Sequence, residues 1–130
     1  MTNDLCSQDL HLFLNALTTT NKPFIVEGKK DKLALNQLGI SRVIVINKPL
    51  YELVEQISEK YREIIIFTDL DKEGKQLYGK LKPQLEAHGV KIDRYFREFL
   101  YKNTKISNIE SLSEYLKSRL EDLELGPLAE

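Results

Sequence analysis

The chain has 130 residues, of which 42% are hydrophobic, and its 19 basic and 20 acidic residues give a formal net charge of −1. This length fits one folded globular domain, and the near-neutral charge neither predicts nor excludes a nucleic-acid partner, so any basic patch must be local. No stretch approaches the ~18 uninterrupted apolar residues of a membrane helix. The first 20 residues lack a positively charged signal-peptide start. Because the single cysteine, Cys6, cannot form an internal disulfide, we expect a cytoplasmic protein.

In chain order, the spacing of apolar residues alternates between helical and strand-like patterns. The helical pattern predicts helices at 7–18, 29–38, 49–60, 73–87 and 109–123. The β-branched and apolar runs predict strands at 23–28, 42–46, 64–67 and 90–96. Pro83 is expected to kink or split the fourth helix, and a basic, aromatic connector is expected at 97–105. Ser107 and Glu110 have the spacing of a capping box for the last helix.

The alternation of strands and helices predicts the fold class. Three of the strands are continuous apolar runs, which is typical of strands that are covered on both faces. We therefore predict an α/β fold in which a parallel four-stranded sheet with right-handed crossovers is flanked by helices. In such sheets, ligands bind beyond the carboxyl ends of the strands.

Three carboxylates follow two of the predicted strands. Glu27 comes directly after FIV, and Asp69 and Asp71 come directly after IIIF. Clustered carboxylates repel one another, and Mg²⁺, which prefers oxygen ligands, would offset that repulsion. The sequence therefore predicts a site for Mg²⁺, or for Mn²⁺ as a substitute, provided that Leu70 faces away from it. The alternative is that both aspartates only cap the next helix and that Glu27 is a solvated loop residue.

Glycines and lysines surround these acids at the predicted starts of two helices. Gly28 and Gly74 would let a phosphate or a metal approach the backbone, where helix N-termini favour anions. Three lysines could hold a phosphodiester or could equally lie on a solvated surface: Lys29, Lys30 and Lys72.

A second group of residues combines positive charge with aromatic rings. Its basic members are Arg94, Arg97, Lys102 and Lys105, and they alternate with Tyr95, Phe96, Phe99 and Tyr101. Such a pattern can hold a nucleic-acid backbone and stack bases. The alternative, which we favour, is structural: the aromatic residues belong to a core or an interface, and the basic residues are their solvated neighbours.

Two segments resemble a known family. VEGKKD, at 26–31, and FTDLDKEGK, at 67–75, are similar to the two signature motifs of the Toprim domain. That domain is shared by topoisomerases, bacterial-type primases, OLD-type nucleases and a ribonuclease that matures 5S ribosomal RNA. The resemblance covers about residues 22–98 and is greatest to small stand-alone primase-like Toprim proteins and to the Toprim core of the 5S ribosomal RNA maturation nuclease. It implies a Rossmann-like Toprim core within a single domain, to which helices 7–18 and 109–123 are additions that cover the core or form a dimer face.

The resemblance also implies roles for the acids. Asp69 and Asp71 would bind Mg²⁺, and Glu27 would act as general acid or base or complete the metal site. Asp31 matches the later acid of the first motif and would orient a lysine or metal-bound water. Glu73 matches the acid of the TD-x-D-x-EG form.

Several functions are compatible with these motifs. The first hypothesis is a metal-dependent nuclease that acts on RNA. The others are a nucleic-acid-binding module that serves a larger protein complex, and primase-like nucleotidyl transfer. A topoisomerase's tyrosine domain and a primase's zinc-binding domain have no counterpart in the 130 residues, and only about 30 residues follow the Toprim-like region. A homodimer or a larger protein partner is expected.

Overall fold

The four strands form one parallel sheet. A computed structural model describes residues 7–124, so Cys6 lies outside the described part of the chain. The strands are β1 (Phe24–Val26), β2 (Val43–Val45), β3 (Glu63–Ile66) and β4 (Lys91–Ile92), in the spatial order β2-β1-β3-β4. Every neighbouring pair is parallel. The predicted α/β fold, a four-stranded parallel sheet flanked by helices, is confirmed.

Six α-helices surround the sheet in the described residues. They are α1 (Ser7–Thr19), α2 (Lys29–Gln37), α3 (Leu50–Lys60), α4 (Lys72–Ala87), α5 (Tyr95–Asn103) and α6 (Leu112–Glu124), and a 3-10 helix, Ile109–Ser111, precedes α6. None of these helices is long and apolar enough to cross a membrane.

Side-chain alternation along the strands separates two apolar layers. Phe24 and Val26 of β1 point into a layer built with α1, α2, α5 and α6, and Ile25 points into the layer built with α3 and α4. Both faces of β1 are shielded from solvent, because Phe24, Ile25 and Val26 are fully buried. The central strands β1 and β3 are therefore held on both faces, which fixes the positions of the residues that follow them.

The predicted fourth strand is wrong beyond Ile92. Residues 95–103, predicted as the end of that strand and a connector, form α5. Phe96, Phe99 and Leu100 have the three- and four-residue spacing of one helical face, and the ring of Phe99 stacks on Phe13 of α1 at 4.2 Å between centroids. The apolar surface that α1 presents therefore outweighs the short strand-like pattern at Tyr95.

Two further expectations concern Pro83 and the cap of the C-terminal helix. The helix α4 runs through Pro83, so the expected split is wrong, and the alternative of a kink stays a prediction. The cap before the C-terminal helix is Asn108, whose side chain accepts a hydrogen bond from the Ser111 N–H at 3.1 Å, and not the predicted Ser107–Glu110 box. The carbonyl of Ser107 instead accepts the Leu70 N–H at 2.9 Å.

Candidate metal site

Glu27, Asp69 and Asp71 meet at the carboxyl edge of the sheet. Each offers a carboxylate oxygen, and the three oxygens lie within 4.8 Å of one another. They converge because β1 and β3 are adjacent and parallel, so both strands end at the same edge. Leu70 between the aspartates is buried in the core, as the D-x-D spacing requires if both acids are to face one point.

A main-chain N–H orients each of the three carboxylates. The Asp69 N–H donates to Glu27 Oε2 at 2.9 Å, and the Gly74 N–H donates to Asp71 Oδ1 at 2.8 Å. The Ile109 N–H donates to Asp69 Oδ1 at 2.9 Å. Each acid thus has one oxygen held by the main chain, and these bonds fix the direction of all three carboxylates. Asp71 does cap α4, as the alternative to a metal site predicted, but Asp69 does not cap that helix.

The electrostatics of the cluster favour a cation. Burial raises the pKa of Glu27, and the charges of Asp69 and Asp71 raise it further, against the effect of the Asp69 N–H. Burial likewise raises the pKa of Asp69, and the charge of Asp71 adds to that, while the Ile109 N–H opposes it. Three crowded carboxylates, of which Glu27 and Asp69 are partly buried, are the donor set that hard divalent cations prefer, so the residues fit Mg²⁺ or Mn²⁺.

Asp31 lies behind this cluster. It is 7% exposed and accepts the Gly28 N–H at 3.1 Å, which closes the first turn of α2. Burial raises the pKa of Asp31, and the charge of Asp69 raises it further. Its orienting role remains a prediction, as does that of Glu73, which is exposed in the first turn of α4.

The two glycines have different surroundings. A Cβ on Gly28 would meet no atom within 4 Å, so space for a ligand exists there, whereas a Cβ on Gly74 would overlap the main chain of Asp69. Thr68 Oγ1 also donates to the Gly74 carbonyl at 2.8 Å. The prediction that Gly74 makes room for phosphate or metal therefore needs correction, because the space beside its Cα is filled by the D-x-D loop itself.

The predicted phosphate-binding lysines are exposed near the acids. Lys29 and Lys30 begin α2 after Glu27, and Lys72 begins α4 after Asp71. Within residues 7–124, these three lysines form no ion pair, so their charges remain available for a phosphate. Their contact with a phosphodiester stays a prediction.

Arg97, which is predicted to contact nucleic acid, supports the D-x-D loop from α5. Its guanidinium donates to the carbonyls of Thr68 at 3.2 Å and of Asp69 at 2.9 Å. The same group lies 4.6 Å from the centre of the Tyr78 ring. These contacts give Arg97 a supporting role in the loop, and its contact with nucleic acid stays a prediction.

Replacing Arg97 by glutamine is expected to lower the free energy of unfolding by about 2 kcal/mol, because two carbonyls lose a charged donor. Urea denaturation measures the change. Arg94→Gln is the control, since Arg94 is exposed and pairs only loosely with Glu98, at 3.7 Å, and its effect should stay within about 0.5 kcal/mol. Equal stability of the two variants would contradict a supporting role for Arg97.

The remaining members of the basic and aromatic group divide into core and surface. Phe96 packs in the core and Phe99 packs against it, which supports the structural alternative for these two rings. Arg94, Lys102 and Lys105 are exposed, and their contact with nucleic acid stays a prediction. Tyr101 is 63% exposed, and Lys75 Nζ lies 5.2 Å from the centre of its ring.

Sequence reasoning missed the part that Arg97 and the Ile109 N–H take in this site. Both act on the D-x-D loop through main-chain groups, from 28 and 40 residues away in sequence. No local pattern reports such contacts, because a main-chain N–H is present at nearly every position.

The fold and this site agree with the family resemblance. Residues 22–100 match the Toprim domain. The chain therefore belongs to the Toprim domain family, whose members have metal-binding functions related to nucleic acids. It is similar to UPF0292 protein MJ1624 from Methanocaldococcus jannaschii, with 35% identity over 104 residues that cover 76% of this chain and 81% of that protein.

Two other proteins show the same relationship. UPF0292 protein PH1700 from Pyrococcus horikoshii is 41% identical over 101 residues, which cover 74% of this chain and 76% of that protein. A protein of solved structure from Aquifex aeolicus has a TM-score of 0.73 and 32% identity, and the match covers 78% of this chain and 96% of that chain. At this identity and coverage, both the fold and the relationship extend beyond the two motifs.

Proposed function

We propose that the protein is a Mg²⁺-dependent nuclease that cleaves RNA. The observation that carries the proposal is the arrangement of Glu27, Asp69 and Asp71. Each is oriented by a main-chain N–H, and together they place carboxylate oxygens within 4.8 Å of one another at the edge of the sheet. Membership of the Toprim domain family supports metal binding and a nucleic-acid substrate.

The three acids would have different roles in the reaction. Asp69 and Asp71 would hold the cation, which when bound supplies positive charge that polarises a phosphoryl oxygen. Glu27 would move the proton, because burial and its neighbours raise its pKa towards the range that suits an acid or base near neutral pH. Lys29, Lys30 and Lys72 would neutralise the phosphodiester.

A groove beside the site offers room for a nucleotide. It has a volume of about 630 Å³ and lies between α2 and the 3-10 helix with the start of α6, where Lys30, Asn108 and Ser111 line it. Glu110 and Glu114 also line it and would repel phosphate, so the groove suits a base or a sugar better than the backbone.

Cleavage of short RNA and DNA strands, single and double, tests the proposal. We expect cleavage of RNA that requires Mg²⁺ or Mn²⁺, is abolished by a chelator, and falls by roughly 10²–10⁴-fold in Glu27→Gln, because a positioned acid or base contributes about that much. Glutamine keeps an oxygen that can accept the Asp69 N–H. Glu86→Gln is the control, since Glu86 pairs with Lys82 on α4 and should leave the rate unchanged.

A second function is favoured by the surface around Tyr101. This exposed ring, with Lys75 against it and Lys102 next to it, could stack a base and contact phosphate in a non-catalytic nucleic-acid-binding module. If RNA binding weakens as the salt concentration rises and no metal supports cleavage, the protein is such a binding module and not a nuclease. Strands that grow when nucleoside triphosphates are added would indicate nucleotidyl transfer instead.

A further inference from the structure

The segment that follows α5 crosses the D-x-D loop and bonds to it twice. The Leu70 N–H donates to the Ser107 carbonyl at 2.9 Å, and the Ile109 N–H donates to Asp69 Oδ1 at 2.9 Å. This segment lies beyond residue 100, where the match to the Toprim domain ends. A carboxylate of the site is therefore oriented by a part of the chain outside the matched domain.

The other two carboxylates differ in this respect. Their main-chain donors, Asp69 and Gly74, lie within the matched residues and next to the site in sequence. Of the three acids, Asp69 alone takes its main-chain donor from outside the matched residues, since the donor to Glu27 lies 42 residues away in sequence but within the D-x-D loop. Partners of this kind fix the direction of a metal-binding carboxylate, and losing one typically costs about 10–100-fold in metal affinity.

The donor itself is held firmly. The Ile109 side chain is fully buried in the layer that contains Leu35 and Leu112, so the residue is anchored against α2 and α6. Asn108 caps the 3-10 turn through the Ser111 N–H. The direction of the Ile109 N–H is therefore set by packing that is independent of the acids.

We propose that Ile109 is a positioning residue whose N–H fixes the carboxylate of Asp69 for a divalent cation, so that residues 104–111 are a built-in part of the metal site. The proposal rests on the proposed metal dependence. It implies reciprocal coupling: because the docked segment raises metal affinity, bound metal must stabilise the docked segment by the same factor.

Proline at position 109 removes this N–H with little other change to the backbone. Ile109 is the first residue of the 3-10 helix, where proline is tolerated, and Asn108 has φ −136° and ψ 151°, within the region allowed before proline. Ile109→Ala is the matched control, because it also loses the buried side chain but keeps the N–H.

Calorimetric titration of Mn²⁺ into the full-length variants decides the question. We expect Ile109→Pro to bind Mn²⁺ about 10–100-fold more weakly than Ile109→Ala, in line with the loss of one orienting partner. Equal affinities would overturn the positioning role. Wild-type protein that binds neither Mn²⁺ nor Mg²⁺ would instead overturn the proposed function, so the two failures are distinguishable.

Hydrogen exchange on the wild-type protein gives a second test that needs no variant to fold. Saturating Mg²⁺ should slow amide exchange across residues 104–111 by roughly the factor by which docking raises affinity, and should leave α3 unchanged, since α3 packs on the opposite face of the sheet. If Mg²⁺ binds and residues 104–111 exchange as fast as before, the coupling is wrong.

Discussion

Asp69→Asn is expected to stabilise the metal-free protein against heat at neutral pH. It should also weaken the binding of Mg²⁺ and Mn²⁺ by at least ~100-fold, because losing a residue that only orients a ligand already lowers metal affinity by about 10–100-fold. Asparagine keeps an oxygen that can accept the Ile109 N–H, so the fold should survive. What the substitution removes is one charge from a crowded cluster. With Asp71→Asn added, RNA cleavage should be lost.

The sign of the stability change follows from the pKa values. Burial raises the pKa of Glu27, Asp31 and Asp69 in the folded state, so these groups hold their protons to a higher pH than they do in the unfolded chain. Their contribution to stability is complete below the unfolded pKa and is lost as the pH rises through the folded pKa. At neutral pH the three charges therefore oppose folding, and removing one of them relieves the others.

Thermal melts with a chelator at neutral and at acidic pH test this prediction. The melting temperature of Asp69→Asn should exceed that of the wild type at pH 7. The difference should shrink towards pH 3, where protonation leaves the wild-type carboxyl without charge, like the asparagine. Saturating Mg²⁺ should reverse the order at pH 7, because only the wild type gains stability from a bound cation.

Asp93→Asn provides the matched control. Asp93 accepts a hydrogen bond from Lys22 Nζ at 2.7 Å and has no place in the acidic cluster, so the same substitution should lower stability there and leave metal affinity unchanged. If Asp69→Asn also lowers the melting temperature of the metal-free protein at pH 7, the carboxylate is a structural cap and not part of a strained metal site.

The sequence allowed prediction of the sheet and of the acids that meet at its edge. Continuous apolar runs identified β1 and β3, and parallel neighbouring strands bring Glu27 and the D-x-D pair together. These features depend on local composition and on one general rule of α/β folds, so they are visible in a single sequence.

Contacts between distant segments could not be predicted in the same way. The helix α5 forms because Phe96 and Phe99 find the ring of Phe13 on α1, and the short strand-like pattern before it gives no sign of that partner. Arg97 has the residue type of a nucleic-acid contact, but the placement of α5 turns its guanidinium to two carbonyls. The sequence therefore shows which residues are charged, but the tertiary packing determines which atoms their side chains contact.

Gly74→Ala is expected to lower the free energy of unfolding by about 3 kcal/mol, at the upper end for overpacking, and to weaken metal binding as well. The added methyl group would overlap the main-chain oxygen and carbon of Asp69, and neither atom can move aside as a flexible side chain could. Relief requires the D-x-D loop to shift away from α4. That shift would strain the bonds from Arg97 to the loop and from the Gly74 N–H to Asp71.

Gly79→Ala on the same helix separates this clash from helix propensity. A Cβ on Gly79 would meet no atom within 4 Å, so alanine there should raise stability by up to ~1 kcal/mol, as it does in a helix interior. Urea denaturation and Mn²⁺ titration of both variants measure the two effects. Stability changes of opposite sign at positions 74 and 79 would show that the first turn of α4 is fitted to the backbone of the metal-binding loop. A Gly74→Ala protein that is stable and binds metal would show that the loop has room to move.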